Sequence, residues 1–309
     1  MRIIQDTTEF HIEERSAVAL GKFDGIHKGH QALLSHILEQ KENGLLAVVF
    51  TFHPSAAVFF GRGEAGELTL TTRMEKRKFF EELGIDVLVE FPLNAATAAI
   101  TAEDFILRIL KGSMNAVYIA AGQDVSFGYK GLGRRDLLEQ MAGELDYQVE
   151  IIDKVYYKDR EISSTYVREE VEEGNMETAK ALLGRNYSIA GCVEQGNRLG
   201  RRLGMPTLNL YPEEEKLLPP KGVYYSSVLY EGCVYPGITN IGKKPTVNDS
   251  QQISVETFLY DFDKDMYGKE IVTELLHFKR PEQKFSDVQA LKQKMEQDIE
   301  EGRIYHGQK

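Results

Sequence analysis

The segment GKFDGIHKGH, Gly21 to His30, combines glycines, two histidines and the start of a helical pattern, which are residue types suited to phosphate binding. Glycines let the backbone approach a phosphate, and a helix N-terminus presents unpaired N–H groups and the positive end of the helix dipole. His27 and His30 are three residues apart, so both imidazoles project from one helix face. The segment therefore predicts a nucleotide-phosphate site. The alternative is a pair of surface histidines beside a turn.

Two other segments could complete this site. ISSTYVR, Ile162 to Arg168, places hydroxyls at a predicted helix start and an arginine one turn later, which would supply a cationic clamp for a triphosphate. Alone, the segment is more typical of a helix cap followed by a solvated arginine. GQDVSFG, Gly122 to Gly128, follows a predicted strand, so it would lie at the same edge of the sheet as the histidine segment. The alternative is a plain turn between a strand and a loop.

A different chemistry is indicated further along, in the segment GNRLGRRLGMPTLN, Gly196 to Asn209. Its glycines expose backbone donors suited to polyphosphate, and Thr207 and Asn209 offer hard oxygen ligands of the kind that Mg²⁺ takes. Glu256, within a predicted strand, could accept the proton of a substrate hydroxyl, as phosphoryl transfer to an alcohol requires. The alternatives are a surface hairpin loop and a solvent-facing carboxylate.

The elements that must position the first site alternate short apolar runs with amphipathic stretches up to about Ile152. This pattern predicts repeated βαβ units, a mainly parallel sheet with helices on both faces, and ligands at the carboxyl ends of the strands. The predicted strands are Ala17–Leu20, Leu45–Phe52, Val87–Phe91, Ala116–Ala121 and Gln148–Ile152. The predicted helices are Gln31–Gln40, Met74–Leu83, Glu103–Leu110, Leu137–Leu145 and Thr165–Leu183.

From Tyr187 onward, short strands rich in Val, Ile and Tyr are separated by Gly, Pro and Asn turns, which predicts a small antiparallel β domain, a barrel. The predicted strands are Tyr187–Val193, Val223–Tyr230, Ile253–Tyr260 and Ile271–Phe278. Ser286–Glu300 is predicted as one amphipathic helix packed on the barrel.

Length and composition agree with a two-domain chain, because 309 residues exceed one typical domain. We expect domains over residues 1–184 and 185–309.

Apolar residues make up 42% and charged residues 28%, as in an ordinary soluble protein, and no apolar run is long enough to cross a membrane. The acidic start shows no export signal, so we expect a cytoplasmic protein. Cys192 and Cys233 are expected to be small core residues.

The net charge of −11 disfavours a nucleic-acid partner, since affinity for that backbone comes from Lys and Arg. Small anionic substrates remain compatible, because local donors bind them despite the overall charge. The sequence predicts no membrane partner and makes no prediction of oligomeric state.

The motifs GKFDGIHKGH, TFHP (Thr51 to Pro54), GQDVSFG and ISSTYVR together resemble the adenylyltransferase module of the bacterial bifunctional riboflavin kinase/FAD synthetase family. Downstream, GNRLGRRLGMPTLN, GITNIGKKPT and VETFLYDFDKDMYGK resemble its riboflavin kinase module. The resemblance implies an α/β protein with a Rossmann-like nucleotidyltransferase domain built on a parallel sheet. A riboflavin kinase-like antiparallel β-barrel with a terminal helix follows it.

The resemblance also implies the roles of individual residues. The implied catalytic residues are His27, His30, Arg168 and Glu256. The implied Mg²⁺ ligands are Thr207 and Asn209. The implied ATP and phosphate contacts are Gly21, Phe23, Asp24, Gly25, Ser164, Thr165, Gly200, Arg201, Gly204, Pro206, Thr207 and Asn209. The implied flavin contacts are Asn94, Asp124, Phe127 and Arg280.

The implied activity is ATP-dependent phosphorylation of riboflavin to FMN, followed by adenylylation of FMN by a second ATP to FAD and pyrophosphate. Riboflavin, FMN, FAD and the adenine nucleotides ATP, ADP and AMP are then the partners, with Mg²⁺ as the divalent cofactor. Two alternatives stay open. One is a monofunctional riboflavin kinase, favoured by His53-Pro54-Ser55-Ala56 where the family usually has an acidic residue followed by PHP. The other is a non-catalytic flavin-binding regulator.

Overall fold

The computed structural model describes residues 1–61, 68–196, 204–245 and 251–308. The chain forms two compact units, Met1–Ser164 and Thr165–Lys309. The domain boundary expected after residue 184 stays a prediction. Within the described ranges, none of the helices combines the length and the apolar character that crossing a bilayer requires.

The first unit is built on a six-stranded parallel sheet with the order β1-β4-β3-β2-β5-β6. Its strands are β1 Arg2–Gln5, β2 Ser16–Leu20, β3 Leu46–His53, β4 Val87–Pro92, β5 Ala116–Gly122 and β6 Gln148–Ile152. After β2 the chain moves outward to β3 and β4, then returns to place β5 on the other side of β2. The strand order therefore reverses between β2 and β5, which is where open parallel sheets bind ligands.

Helices cover both faces of this sheet, as the sequence pattern predicts. They are α1 Lys28–Glu39, α2 Ala56–Phe59, α3 Arg73–Glu82, α4 Ala102–Asp104, which continues as a π-helix over Phe105–Ser113, and α5 Arg135–Leu145. Successive β2 residues enter opposite cores: Val18 belongs to the cluster that contains the π-helix residue Ile106, whereas Ala19 belongs to the cluster that contains Leu34 of α1. A short hairpin, β7 Tyr156–Tyr157 with β8 Arg160–Glu161, follows the sheet.

The prediction of one helix over Thr165–Leu183 is wrong, because two helices lie there: α6, Ser164–Glu173, and α7, Met176–Leu183. Gly174 separates them with φ of 80°, a left-handed conformation that cannot continue an α-helix. An apolar pattern that runs through the break hides it in the sequence. In the second unit, α7 packs against the sheet that follows.

The second unit holds a six-stranded antiparallel sheet with the order β10-β13-β12-β11-β14-β9. Its strands are β9 Tyr187–Cys192, β10 Leu208–Leu210, β11 Gly222–Tyr230, β12 Cys233–Pro245, β13 Gln251–Leu259 and β14 Glu270–Pro281. An antiparallel bridge between Glu194 and Asn209 joins the two edges, so the sheet closes on itself. Helix α8, Val288–Tyr305, begins at Asp287, whose carboxylate accepts a hydrogen bond from the Ala290 N–H at 2.8 Å.

The two faces of the β11–β13 region differ in chemistry. One face packs against Ile299 of α8 through a cluster that includes Tyr225 and Phe258. The other face carries buried hydroxyls. Thr239 Oγ1 is 2.7 Å from Ser226 Oγ and 2.8 Å from Thr257 Oγ1. The expected core positions of Cys192 and Cys233 are wrong, since both thiols are free and exposed at strand ends.

Candidate functional site

The loop between β2 and α1 owes its shape to backbone conformations that few residues adopt. Phe23, Gly25 and Ile26 have φ values of 52°, 79° and 41°, all in the left-handed region. The buried Phe23 ring turns back over Gly21, where an added Cβ would lie 3.0 Å from two ring carbons. The glycine therefore lets the loop fold against its own aromatic residue and brings backbone N–H groups to the end of β2.

The two histidines lie together at the N-terminus of α1. His27 is the buried N-cap, and its Nδ1 accepts a hydrogen bond from the His30 backbone N–H at 3.4 Å. The two rings stack with centroids 3.8 Å apart and planes 21° apart. Burial, with the nearby charges of His27 and Lys76, holds the pKa of His30 well below 6.5. His30 is therefore neutral at pH 7 and offers an N–H donor to an anion.

Asp24 and Ser164 hold the loop in place. Asp24 Oδ1 accepts hydrogen bonds from the backbone N–H groups of Leu70 at 2.9 Å and Thr71 at 3.3 Å. Ser164 Oγ donates to the Asp24 carbonyl oxygen at 2.9 Å, although the two residues are 140 positions apart. The structure thus brings Ser164 onto the loop between β2 and α1 that carries the histidines. Thr165 and Arg168 follow in α6, and their phosphate contacts stay predictions.

A surface cleft of about 450 Å³ lies beyond the carboxyl end of β5. It is lined by Gln123, Asp124, Arg134, Arg135, Asp136 and Lys154. Arg135 pairs with Asp136 at 3.2 Å and Lys154 with Glu161 at 2.7 Å, so most of its charges are already matched. The structure places Asp124 in this mixed-charge cleft, and its contact with a nucleotide or flavin stays a prediction.

For two of the implied flavin contacts in the first unit, Asn94 and Phe127, the surrounding structure explains the residue type without a flavin. Asn94 follows β4, and its Oδ1 accepts hydrogen bonds from the N–H groups of Ala96 at 2.9 Å and Thr97 at 3.0 Å. Phe127 is only 4% exposed and packs on Phe105, with ring centroids 5.4 Å apart. Turn capping and core packing account for these residue types, so a flavin contact of either stays a prediction.

In the second unit, a row of polar residues crosses three neighbouring strands. Glu256 of β13 lies directly opposite Asn209 of β10 on one side and Asn240 of β12 on the other. Opposed residues of antiparallel strands project from the same face, so the three side chains are neighbours. Ser254 Oγ donates to Glu256 Oε1 at 3.4 Å from the same face. The structure thus brings Asn209 and Glu256 together and adds Asn240, which belongs to the GITNIGKKPT motif but has no role assigned from the sequence.

The oxygen atoms near this row fit a hard divalent cation. Asn209 Nδ2 donates to the Thr207 carbonyl at 3.1 Å and lies 3.5 Å from Thr207 Oγ1. Hydroxyl, amide and carboxylate oxygens are therefore available side by side, which is the donor set that Mg²⁺ prefers. Gly204 (φ of 82°) and Pro206 lead into this segment. Gly200 and Arg201 lie outside the described residues.

Gly196 is required beside this cluster. A Cβ at position 196 would overlap Oδ1 of Asn209, so Gly196→Ala must displace the amide. Because a shift of about 1 Å in a positioning group costs roughly 100-fold in rate, we expect the FMN formation that the sequence resemblance implies to fall by about that factor. Assays of riboflavin phosphorylation and of FMN adenylylation measure this, and the second activity is expected to stay unchanged. Wild-type phosphorylation in the variant would contradict the assignment of Asn209.

Arg280 lies in the same cross-strand row, opposite Val223, but its guanidinium is engaged by helix α8. Its Nε and Nη2 donate to Asp298 Oδ2 at 2.9 and 2.6 Å. Asp298 is 2% exposed, and Lys294 lies 3.3 Å from its other oxygen. This buried ion pair fastens α8 to β14. The flavin contact implied for Arg280 stays a prediction.

Removal of one member of this pair is expected to destabilise the second unit. Asp298→Ala leaves Arg280 without its buried partner, which costs about 3 kcal/mol of the free energy of unfolding. Urea unfolding of the full chain measures the loss. Asp261→Ala is the matched control, since Asp261 pairs with Arg303 at 2.8 Å but is exposed, and we expect a much smaller change in the free energy of unfolding. Equal effects of the two variants would contradict the claim that the buried pair of Arg280 and Asp298 stabilises the second unit.

Comparisons with known proteins match both halves of the chain. The family model for FAD synthetase matches residues 9–166, and the family model for riboflavin kinase matches residues 183–306. A Bacillus subtilis protein described as a bifunctional riboflavin kinase/FMN adenylyltransferase is 33% identical, covering 99% of this chain and 98% of its own length. An Escherichia coli protein of the same description is 33% identical, covering 96% of this chain and 94% of its own length.

A solved structure has the same fold over nearly the whole chain. It is described as a macrolide-efflux protein from Streptococcus pneumoniae, and it is 30% identical to this chain with a TM-score of 0.85. The match covers 97% of this chain and 98% of that one. The fold of each unit is therefore found in a relative that this chain matches over 98% of its length.

Proposed function

Since the chain belongs to the family of bifunctional riboflavin kinase/FMN adenylyltransferases, we propose that it makes FAD from riboflavin in two ATP-dependent steps. The first step converts riboflavin and ATP to FMN and ADP. The second converts FMN and ATP to FAD and pyrophosphate. The observation that carries the proposal is the placement of Glu256 directly opposite Asn209, because a carboxylate beside hard oxygen ligands is equipment for phosphoryl transfer.

In the kinase step, Glu256 accepts the proton of the riboflavin 5′-hydroxyl as that oxygen attacks the γ-phosphorus of ATP and ADP leaves. Ser254 Oγ donates a hydrogen bond to this carboxylate, and Asn209 and Asn240 lie opposite Glu256 on the neighbouring strands. Thr207 and Asn209 would hold Mg²⁺. When bound, the ion offsets the negative charge of the phosphates, as divalent cations do in phosphoryl transfer.

In the adenylyl step, the FMN phosphate is already a nucleophile, so this step requires no general base. Its oxygen attacks the α-phosphorus of ATP, and pyrophosphate leaves. The stacked His27 and His30, together with the N–H groups at the start of α1, stabilise the charge that develops on the α-phosphate. A neutral His30 contributes a directed hydrogen bond to this anion.

The proposal has two competitors. A monofunctional kinase is favoured by the segment His53-Pro54-Ser55-Ala56, which departs from the family pattern. In this segment Ser55 caps helix α2, where its hydroxyl accepts a hydrogen bond from the Val58 N–H at 3.3 Å. A flavin-binding regulator has no use for the Glu256 carboxylate beside Asn209.

We also propose a cytoplasmic location, where riboflavin meets a supply of ATP.

Incubation of the protein with riboflavin, ATP and Mg²⁺, followed by chromatography of the flavins, tests the proposal. We expect FMN to appear first and FAD to follow. Accumulation of FMN without FAD would establish the monofunctional alternative, and recovery of riboflavin alone would refute an enzymatic role.

A further inference from the structure

We infer that Thr71 is a positioning residue of the adenylyl site, where it holds the loop between β2 and α1 in the shape that presents His27 and His30. The inference rests on the proposed FMN adenylylation. Thr71 lies outside this loop, directly before the residue that caps α3, and has no role assigned from the sequence. It is buried, so its polar groups need partners inside the protein.

Thr71 makes hydrogen bonds to two consecutive residues of the loop. Its Oγ1 accepts from the Gly25 backbone N–H at 3.1 Å, and its own N–H donates to Asp24 Oδ1 at 3.3 Å. The Leu70 N–H donates to the same carboxylate oxygen at 2.9 Å. The loop is therefore fastened by the Thr71 hydroxyl as well as by backbone groups. Of these contacts, the one through the hydroxyl can be removed by changing the Thr71 side chain.

The loop needs such contacts because its backbone is strained. Phe23 and Ile26 have φ values of 52° and 41°, conformations that bulky side chains rarely adopt. A strained backbone persists where the surrounding contacts determine it. Gly25, which Thr71 holds, lies between these two residues in the sequence and two residues before His27, the N-cap of α1. A shift of Gly25 therefore passes directly to the start of the helix that carries the histidines.

The segment that carries Thr71 is itself attached to the sheet. The next residue, Thr72, begins α3 with a capping box in which Thr72 and Glu75 bond each other's backbone N–H groups. Arg73 then donates from Nη2 to Glu90 Oε2 at 2.6 Å, and Glu90 is a buried residue of β4. The start of α3 is thus fixed against the sheet, and the Thr71 hydroxyl is held at a defined place from which it can fix the loop.

Thr71 acts through the loop and takes no proton in the reaction. In the proposed step, negative charge develops on the α-phosphate, and donors that are preorganised toward this charge raise kcat more than they tighten substrate binding. Loss of the hydroxyl leaves the buried Gly25 N–H without this acceptor and lets the strained backbone relax. The two imidazoles are then misplaced, so the effect should fall on kcat.

Two substitutions test the inference in the full-length protein. Thr71→Val keeps the shape of the side chain and removes the acceptor, whereas Thr71→Ser keeps the hydroxyl and removes a methyl group. For Thr71→Val we expect kcat of FMN adenylylation to fall about ten-fold, with KM for FMN changed less than about two-fold. For Thr71→Ser we expect a kcat within about three-fold of wild type, because the hydroxyl still accepts from Gly25. Riboflavin phosphorylation by the same preparations is expected to stay unchanged.

Amide hydrogen exchange measured by NMR gives a readout that does not depend on activity. We expect the Gly25 N–H to exchange about five-fold faster in Thr71→Val than in the wild-type protein or in Thr71→Ser, since one hydrogen bond is lost. Thr101→Val is the matched control, because its hydroxyl accepts a hydrogen bond of the same kind, from the Asp104 N–H at 3.1 Å, at the start of α4. The control is expected to keep wild-type adenylylation and wild-type exchange at Gly25.

The possible outcomes separate the inference from the proposed function. A wild-type kcat in Thr71→Val would show that Thr71 does not position the site. Equal losses in Thr71→Val and Thr71→Ser would assign the effect to packing of the methyl group and overturn the inference, as would an equal loss in Thr101→Val. If the wild-type protein forms no FAD from FMN, the proposed adenylyl step is refuted. Unchanged exchange at Gly25 in Thr71→Val would then also overturn the claim that Thr71 holds the loop.

Discussion

Glu256→Gln is expected to lower FMN formation from riboflavin by about 1,000-fold, since a positioned general base contributes roughly 10² to 10⁴ to the rate. Glutamine keeps the shape of the side chain and its place opposite Asn209 and Asn240, but its amide cannot accept a proton at neutral pH. The effect should therefore fall on kcat. Conversion of added FMN to FAD is expected to continue at the wild-type rate.

Initial rates of both half-reactions in one preparation measure this result. Glu270→Gln serves as the control, because Glu270 is an exposed carboxylate at the start of β14, away from the polar row. Loss of both activities in Glu256→Gln would contradict separate sites in the two units. Retention of riboflavin phosphorylation would remove Glu256 from the mechanism.

His30→Ala is expected to have the converse effect, with FMN accumulating from riboflavin and FAD formation falling about 100-fold or more. The loss of one preorganised donor to a developing anion costs roughly 10² to 10³ in rate. The substitution also removes the ring on which His27 stacks, so the second imidazole loses its support. Riboflavin phosphorylation is expected to be unaffected.

Flavin chromatography over time distinguishes the two steps. His36→Ala is the matched control: it lies on the same helix, α1, and its Nδ1 is 3.1 Å from Glu150 rather than in the histidine stack. Unaltered FAD formation in His30→Ala would exclude the residue from catalysis.

The lowered pKa of His30 also predicts how stability depends on pH. As pH falls below 6.5, the unfolded chain protonates this histidine while the folded chain does not, so the unfolded state binds more protons. The free energy of unfolding of the first unit should therefore decrease as pH falls through that range. In His30→Ala this part of the pH dependence is expected to be absent.

The sequence predicts the parts of the fold that depend on strong periodicity. Buried strands such as Ala17–Leu20 and Ala116–Ala121 are continuous apolar runs, and the structure extends them by only one residue. The alternation of strands and helices also correctly predicts a parallel sheet covered on both faces. In the site, spacing alone indicated that His27 and His30 share a helix face.

Other elements carry weak signals. Strand β12 was missed because Pro236, two glycines and two lysines resemble a loop, although its neighbours supply the pairing on both sides. Strand β1 has a single buried residue, Ile4, and pairs only along the sheet edge. Asp298 resembles any polar position of an amphipathic helix until Arg280 is placed opposite it. These features arise from tertiary contacts that no local pattern encodes.

The hydrogen bond from Ser164 to the Asp24 carbonyl has a consequence for how the protein is made. The loop that holds the two histidines leaves the ribosome early, but the residue that fastens it is synthesised 140 positions later. Parallel sheets of this kind gain their contacts between distant parts of the chain, which makes their folding slow. The loop between β2 and α1 therefore cannot reach its final, hydrogen-bonded state during early translation. That state requires Ser164, the last residue of the first unit.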